Sequence, residues 1–211
     1  MPAAVYVEAL DIDQRLALLG LKESSLREAM TQGYLARARL TGNHPRIFHG
    51  TSTWAETVAS LRELLRSDGW QKSDIGNYEL TINSTHDIAI QVVTGDEGTG
   101  LPQAMPSNKC PKGRNTIDAI NNNYQVDLFE ELIPLPWRGI NYLSTWILLY
   151  RIATDEIRCE LSLPSTISEE GKIRGWKERI LLRPLYRGEK PFEVRPPQNP
   201  EIDIDIKRKA R

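Results

Sequence analysis

The hydrophobic positions of this chain follow a helical period in the first third and a two-residue period in the last third. Leu26, Ala29, Met30, Gly33, Tyr34 and Arg37 recur at helical spacing, which predicts an amphipathic helix over 24–39 that begins at Ser24 or Ser25. Upstream, residues 3–7 alternate as a short strand does, and Asp11 or Asp13 can cap a short helix carrying Leu16 and Leu19 before Gly20 interrupts it. Two helices joined at a glycine permit a helix-turn-helix; an ordinary helical hairpin packed on the core accounts for the same pattern.

Gly42-Asn-His-Pro45 reads as a turn, because Gly and Asn tolerate positive φ and the residue before Pro leaves the helical region. Arg46–Phe48 then reads as a short strand. Thr53 with Glu56 makes a capping box for a helix over 54–66, with Trp54, Val58, Leu61 and Leu65 as its buried stripe. Gly69 stands where a left-handed cap belongs, and Trp70 follows as a core anchor.

From here the pattern becomes β-rich. Residues 78–82 and 88–93 read as strands joined by Asn83-Ser-Thr-His-Asp87, a plausible hairpin connection. A helix follows near 116–123, and Val126–Ile133 forms a further short segment stopped by Pro134 and Pro136. Tyr142–Ile152, Glu156–Leu163 and Lys172–Leu182 predict an antiparallel meander. In its middle strand Ile157, Cys159, Leu161 and Leu163 share one face, and Arg158, Glu160 and Ser162 share the other, as in a half-buried sheet.

Helices early and strands late predict an α+β fold, with N-terminal helices packed on a largely antiparallel β-sheet, a long Gly/Pro loop and an extended C-terminal tail. The reading is one domain over 1–187, helix-rich over 1–70 and strand-rich over 78–187, followed by a Pro-rich charged tail at 188–211. Within the tail Glu201-Ile-Asp-Ile-Asp-Ile206 alternates strictly, so it can add as an edge strand to this sheet or to a protein partner.

Composition refines this picture. Of 211 residues 40% are hydrophobic and 26% charged, the balance of a globular chain, and a net charge of −1 argues against a uniformly basic nucleic-acid surface. Met1–Leu10 lacks the basic start and apolar length of a secretory signal, and the longest apolar run, Trp146–Tyr150, is far below bilayer length. The expectation is a cytoplasmic protein with no membrane span. Cys110 and Cys159 form no Cys-x-x-Cys pair and suit a reducing compartment as free thiols.

The candidate chemistry centres on the loop after the 88–93 strand. Gly95-Asp-Glu-Gly-Thr-Gly100 reverses the dinucleotide spacing, and Leu101-Pro102 stand where a Walker A loop needs Lys and Ser or Thr. No convincing strand-helix-strand unit surrounds it. Further on, Lys109, Lys112, Gly113 and Arg114 lead into a helix that Asn115 or Thr116 can cap. The open N–H groups of such a start, flanked by cations, attract a phosphate of a nucleotide, RNA or DNA. Asp96 and Glu97 leave a buried strand where carboxylates can hold a divalent metal, with Glu160 as a further ligand, as in a metal-dependent nuclease. His44 and His49 are too awkwardly spaced across Pro45 to make a zinc pair. Trp137, Trp146 and Trp176, with Arg138, Arg158, Arg174, Lys177 and Arg179, suggest a stacking sheet for single-stranded nucleic acid, or core tryptophans beneath a charged face.

Phe48-His49-Gly50-Thr51 resembles the His-Gly-Thr strand end of ADP-ribosyltransferases of the diphtheria-toxin-like class. That resemblance implies NAD as substrate, held by His49, with Tyr78 stacking on nicotinamide and Glu160 supporting catalysis. The texture of the chain also resembles proteins of bacterial mobile-element or antiviral defence regions, which would make it a subunit of a larger complex. The functional expectation is a noncatalytic protein that binds nucleic acid or a phosphate-bearing ligand through Lys109–Asn115, with the two enzyme readings as alternatives.

Overall fold

The computed structural model describes residues 3–129 and 143–186, with the backbone alone for 124–129. Trp137, Arg138 and the Glu201–Ile206 segment lie outside the described residues. The order of elements is β1 (Ala4–Tyr6), α1 (Ala9–Leu18), α2 (Glu23–Ala38), α3 (Arg46–Leu65), β2 (Gln71–Ser73), β3 (Leu80–Asn83), β4 (Ile88–Thr94), α4 (Arg114–Phe129), β5 (Ser144–Ile152), β6 (Glu156–Ile167), β7 (Ile173–Leu181) and β8 (Leu185–Tyr186).

The strands form one mixed sheet ordered β1-β7-β6-β5-β4-β3-β2, with β8 paired to β6. β1–β7 and β4–β5 are parallel and the other pairings antiparallel. The fold is therefore α+β, with helices packed on a sheet, as the sequence predicts. No helix among the described residues is long and apolar enough to cross a membrane.

Alternation along the central strands sorts their side chains into two cores. Ile88, Ile90, Val92, Trp146, Leu148, Tyr150, Ile157, Cys159 and Leu161 pack against Leu16, Leu26, Met30, Leu61 and Leu65 of the first three helices. On the opposite face Val93, Ile147 and Leu149 pack with Ile120 of α4 and with Ile173 and Trp176. Burial on both faces explains why β4 and β5 read as nearly continuous apolar runs. α2 and α3 approach closely where Gly33 faces Thr57, since a Cβ on Gly33 would stand 2.0 Å from the Thr57 Oγ1.

The structure corrects several boundaries. Arg46–Phe48 is not a strand but the first turn of α3, which starts directly after Pro45, a residue whose fixed φ suits a helix entry. Thr53 and Glu56 therefore lie inside α3 and form no capping box; the Thr53 hydroxyl instead donates to the carbonyl of His49 at 2.8 Å. α1 follows Glu8 and α2 follows Lys22, so neither the aspartates nor Ser24 and Ser25 cap them. Residues 126–129 belong to α4. Gly69 does adopt the left-handed conformation, at φ 83°, after a short 3-10 turn.

The glycine loop also lies in a strand-helix-strand context that its spacing conceals, because β4 and β5 are adjacent and parallel with α4 between them in the chain. In the β6–β7 ladder, register shifts between Leu163 and Ile167 bring Trp176 into the α4-side core.

Candidate functional site

The segment between β4 and α4 is strapped onto the sheet. Gly95 donates to the Tyr150 carbonyl at 2.8 Å and bridges to Asn108. Asp96 closes the loop on itself, its Oδ1 accepting from the Gly98 N–H at 3.1 Å and its Oδ2 from the Ser107 N–H at 2.9 Å. The Arg179 guanidinium donates to the carbonyls of Ala104 at 2.6 Å and Leu101 at 3.2 Å, and the Trp176 indole donates to Pro106 at 2.8 Å. Lys172 Nζ holds the carbonyls of Asn108 and Lys109 at 2.7 and 2.9 Å. These bonds satisfy main-chain groups that a buried irregular segment must pair.

This layer covers the face of β6 that alternation assigns to solvent. Glu160 is wholly buried, 2.5 Å from the Arg179 guanidinium, and its Oε2 also accepts from the Gly100 N–H at 3.0 Å. Glu160 thus clasps the loop. Asp96 is committed to the loop turn, and Glu97 pairs in the open with Arg151. Among the described residues no group of three or more His, Cys, Asp or Glu side chains could hold a metal ion. The predicted Asp96, Glu97 and Glu160 centre is not assembled.

His49 lies inside α3 instead of at a strand end, with its ring edge-on to His44 at 6.5 Å between centroids. α3 packs on the sheet face opposite Glu160, so the geometry that the ADP-ribosyltransferase resemblance implies for His49 and Glu160 is absent. Trp146 and Trp176 are buried in the two cores and present no stacking surface.

The other half of the loop does build a concave site. Lys112, Gly113, Arg114 and Asn115 line a cleft of about 360 Å³, together with Trp54 of α3, the Gly76–Glu79 segment, Gln91 and Val92 of β4, and Thr116. Four of the five residues singled out for phosphate binding meet here. Lys109 is exposed, and lines neither this cleft nor the adjoining one. That second hollow, of about 250 Å³, shares Trp54 and Lys112 and adds Gly50, Thr51, Thr94 and Cys110.

Each wall has a local cause. α4 begins at Arg114, and its first turn is anchored to β4 by the Gln91 amide, which donates to Thr116 Oγ1 at 3.2 Å. The Asn115 amide donates to the Gly76 carbonyl at 3.0 Å and ties the helix start to the β2–β3 turn. Lys112 is seated by the β6–β7 turn: its N–H donates to the Gly171 carbonyl at 2.9 Å, and Gly171 has φ 75°. The Lys112 side chain has no hydrogen bond or ion pair among the described residues, and burial draws its ammonium below the usual lysine range against the opposing pull of Cys110 and Glu79. Arg114 is engaged by Asp118 one turn on, with 83% of its side chain exposed. Burial also pushes the Tyr78 phenol well above its ordinary value, with the Thr145 side chain offsetting part of that.

One further group faces the cleft. β3 pairs with β4 only as far as Thr81 opposite Ile90; continuing that register would set Glu79 opposite Val92, but no main-chain hydrogen bond joins them. Thr94 accepts from Lys109 on this side of β4 at 2.8 Å, while Gly95 donates to β5 on the other. Strand alternation therefore turns the N–H and C=O of Val92 toward the cleft. Val92 is 3% exposed, and its edge peptide has no protein partner among the described residues.

Sequence reasoning reached Lys112–Asn115 through the helix-start signal. It missed Trp54, read as core, and Val92, read as an ordinary strand residue. Where a ladder stops leaves no mark in composition. Comparison with protein-family models, with curated proteins and with solved structures finds no match in any of the three.

Proposed function

We propose that this protein binds a phosphate-bearing ligand in the cleft between α3, β4 and the start of α4, as a receptor and not as a catalyst. The observation that carries the reading is Lys112, a cation with no hydrogen bond or ion pair to its side chain among the described residues and only the longer-range pull of Cys110 and Glu79, beside the first turn of a 16-residue helix. The dipole of that helix favours an anion at the same place, where the Thr116 and Ile117 N–H groups are bonded to the Gly113 carbonyl and those of Arg114 and Asn115 precede them. A cleft of about 360 Å³ fits a small ligand or a single nucleotide unit of a nucleic acid, within the range typical of small-molecule sites. The net charge of −1 agrees with a local contact and not a broad basic surface.

The test is equilibrium binding of inorganic phosphate, single nucleotides and labelled single- and double-stranded DNA and RNA over a salt series. Lys112→Gln is expected to abolish binding, whereas Lys109→Ala, outside the cleft, is expected to leave it unchanged. Binding that depends on Lys109 and not on Lys112 would move the site to the exposed loop and overturn the reading.

A further inference from the structure

We infer that the ligand is a mononucleotide whose base pairs with the exposed edge of β4 at Val92 while its phosphate lies at Lys112 and the first turn of α4. The inference rests on the phosphate reading and deepens it.

The edge of β4 at Val92 carries main-chain groups beyond the end of the β3 ladder. A buried N–H and C=O without partners costs free energy comparable to lost hydrogen bonds, so it is normally paired by protein, by water or by a ligand. Val92 offers one donor and one acceptor side by side along a strand edge, and both face a cleft. A planar group carrying an adjacent acceptor and donor matches that pair, and every nucleobase has such an edge. The side chains around it suit a flat ring: Trp54 on the α3 side and Tyr78 at the end of β3 both line the same space. Gln91, next to Val92, is bonded to Thr116 in the first turn of α4, so the edge peptide and the anion-favouring helix start belong to one cavity. A nucleotide joins the two requirements in one molecule. Inorganic phosphate meets only one of them.

The experiment is calorimetric titration of the full chain with AMP, GMP, CMP and UMP, set against ribose 5-phosphate, inorganic phosphate and the free nucleosides. In parallel, hydrogen exchange of the Val92 amide is followed by NMR. Expected is binding of at least one nucleotide tenfold or more tighter than ribose 5-phosphate, with Val92 exchange slowed at least tenfold by that nucleotide and not by ribose 5-phosphate. Equal binding of nucleotides and ribose 5-phosphate, with Val92 exchange unchanged, would overturn the base contact and leave the phosphate reading standing. Nucleosides that bind as tightly as nucleotides and protect Val92 would overturn the phosphate reading and support the edge contact. No binding of any phosphate-bearing probe or nucleoside overturns both. The amide readout needs no substitution in β4, so a misfolded variant cannot obscure the answer.

Discussion

Arg179 and Glu160 stand on adjacent strands, diagonal to one another across the β6–β7 ladder, and form a buried ion pair at 2.5 Å; apart from the Ser162 hydroxyl, which donates to Glu160 Oε1 at 3.1 Å, its remaining hydrogen bonds go to the loop between β4 and α4. The pair is both a sheet contact and the fastening of a third layer. Removing one partner leaves a buried charge without compensation. Arg179→Met is expected to destabilise the fold by about 3–5 kcal/mol. The double variant Glu160→Gln/Arg179→Met should cost less than the two single changes added together. Urea unfolding of the four proteins measures this; full additivity would show that the two side chains act independently.

Gly171 positions Lys112. A Cβ at 171 would lie 2.2 Å from the Lys112 carbonyl oxygen and 2.6 Å from its nitrogen, at a φ of 75° that L side chains rarely adopt. Gly171→Ala should therefore cost about 1–3 kcal/mol through backbone strain. It should also weaken phosphate or nucleotide binding, because Lys112 must move. Thermal denaturation and ligand titration of the same variant report the two effects. Destabilisation with unaltered affinity would show that the turn does not set the position of Lys112.

Lys112 gives the protein an alkaline pH signature. Its folded value is lowered beneath the ordinary 10.5, so the unfolded chain binds the proton more tightly. The unfavourable charge is then fully present below the folded value, and stability contributed at this site rises as pH climbs from there to 10.5. Lys112→Met should remove that rise, which urea unfolding at stepped pH would detect. Anion affinity moves the opposite way: binding requires the ammonium, so it weakens as pH rises through the folded value. Affinity that is flat over this window would exclude Lys112 as the anion partner.

The two cysteines report on the cleft without engineering. Cys159 is buried and its thiol is pushed up to about 12, whereas Cys110 is exposed and lines the hollow beside Lys112. A thiol reagent should modify Cys110 quickly in the native protein and Cys159 only after denaturation. Ligand bound at Lys112 should slow the reaction at Cys110. Native labelling of Cys159 at a comparable rate would contradict the packed core.

The sequence by itself determined the elements whose period matches their burial. α2 and the alternating strands β6 and β7 are legible because one face of each must be apolar, so a period of 3.6 or 2 follows, whereas β4 and β5, buried on both faces, are legible as short unbroken apolar runs. Lys112–Asn115 were legible as a helix start for a similar local reason. The helical turn at Arg46–Phe48 was not, since Ile47 and Phe48 are apolar yet exposed and mimic a strand. Nor was the fate of Glu160, because alternation tells which residues share a face and not what covers it. The covering loop comes from residues 95–113, more than 40 positions earlier in the chain, and its bonds to Arg179, Trp176 and Lys172 exist only once β7 is in place. Tertiary structure alone likewise ended the β3–β4 ladder at Ile90 and left Val92 facing the cleft, since pairing depends on where a neighbouring strand turns away and not on the residue that loses its partner.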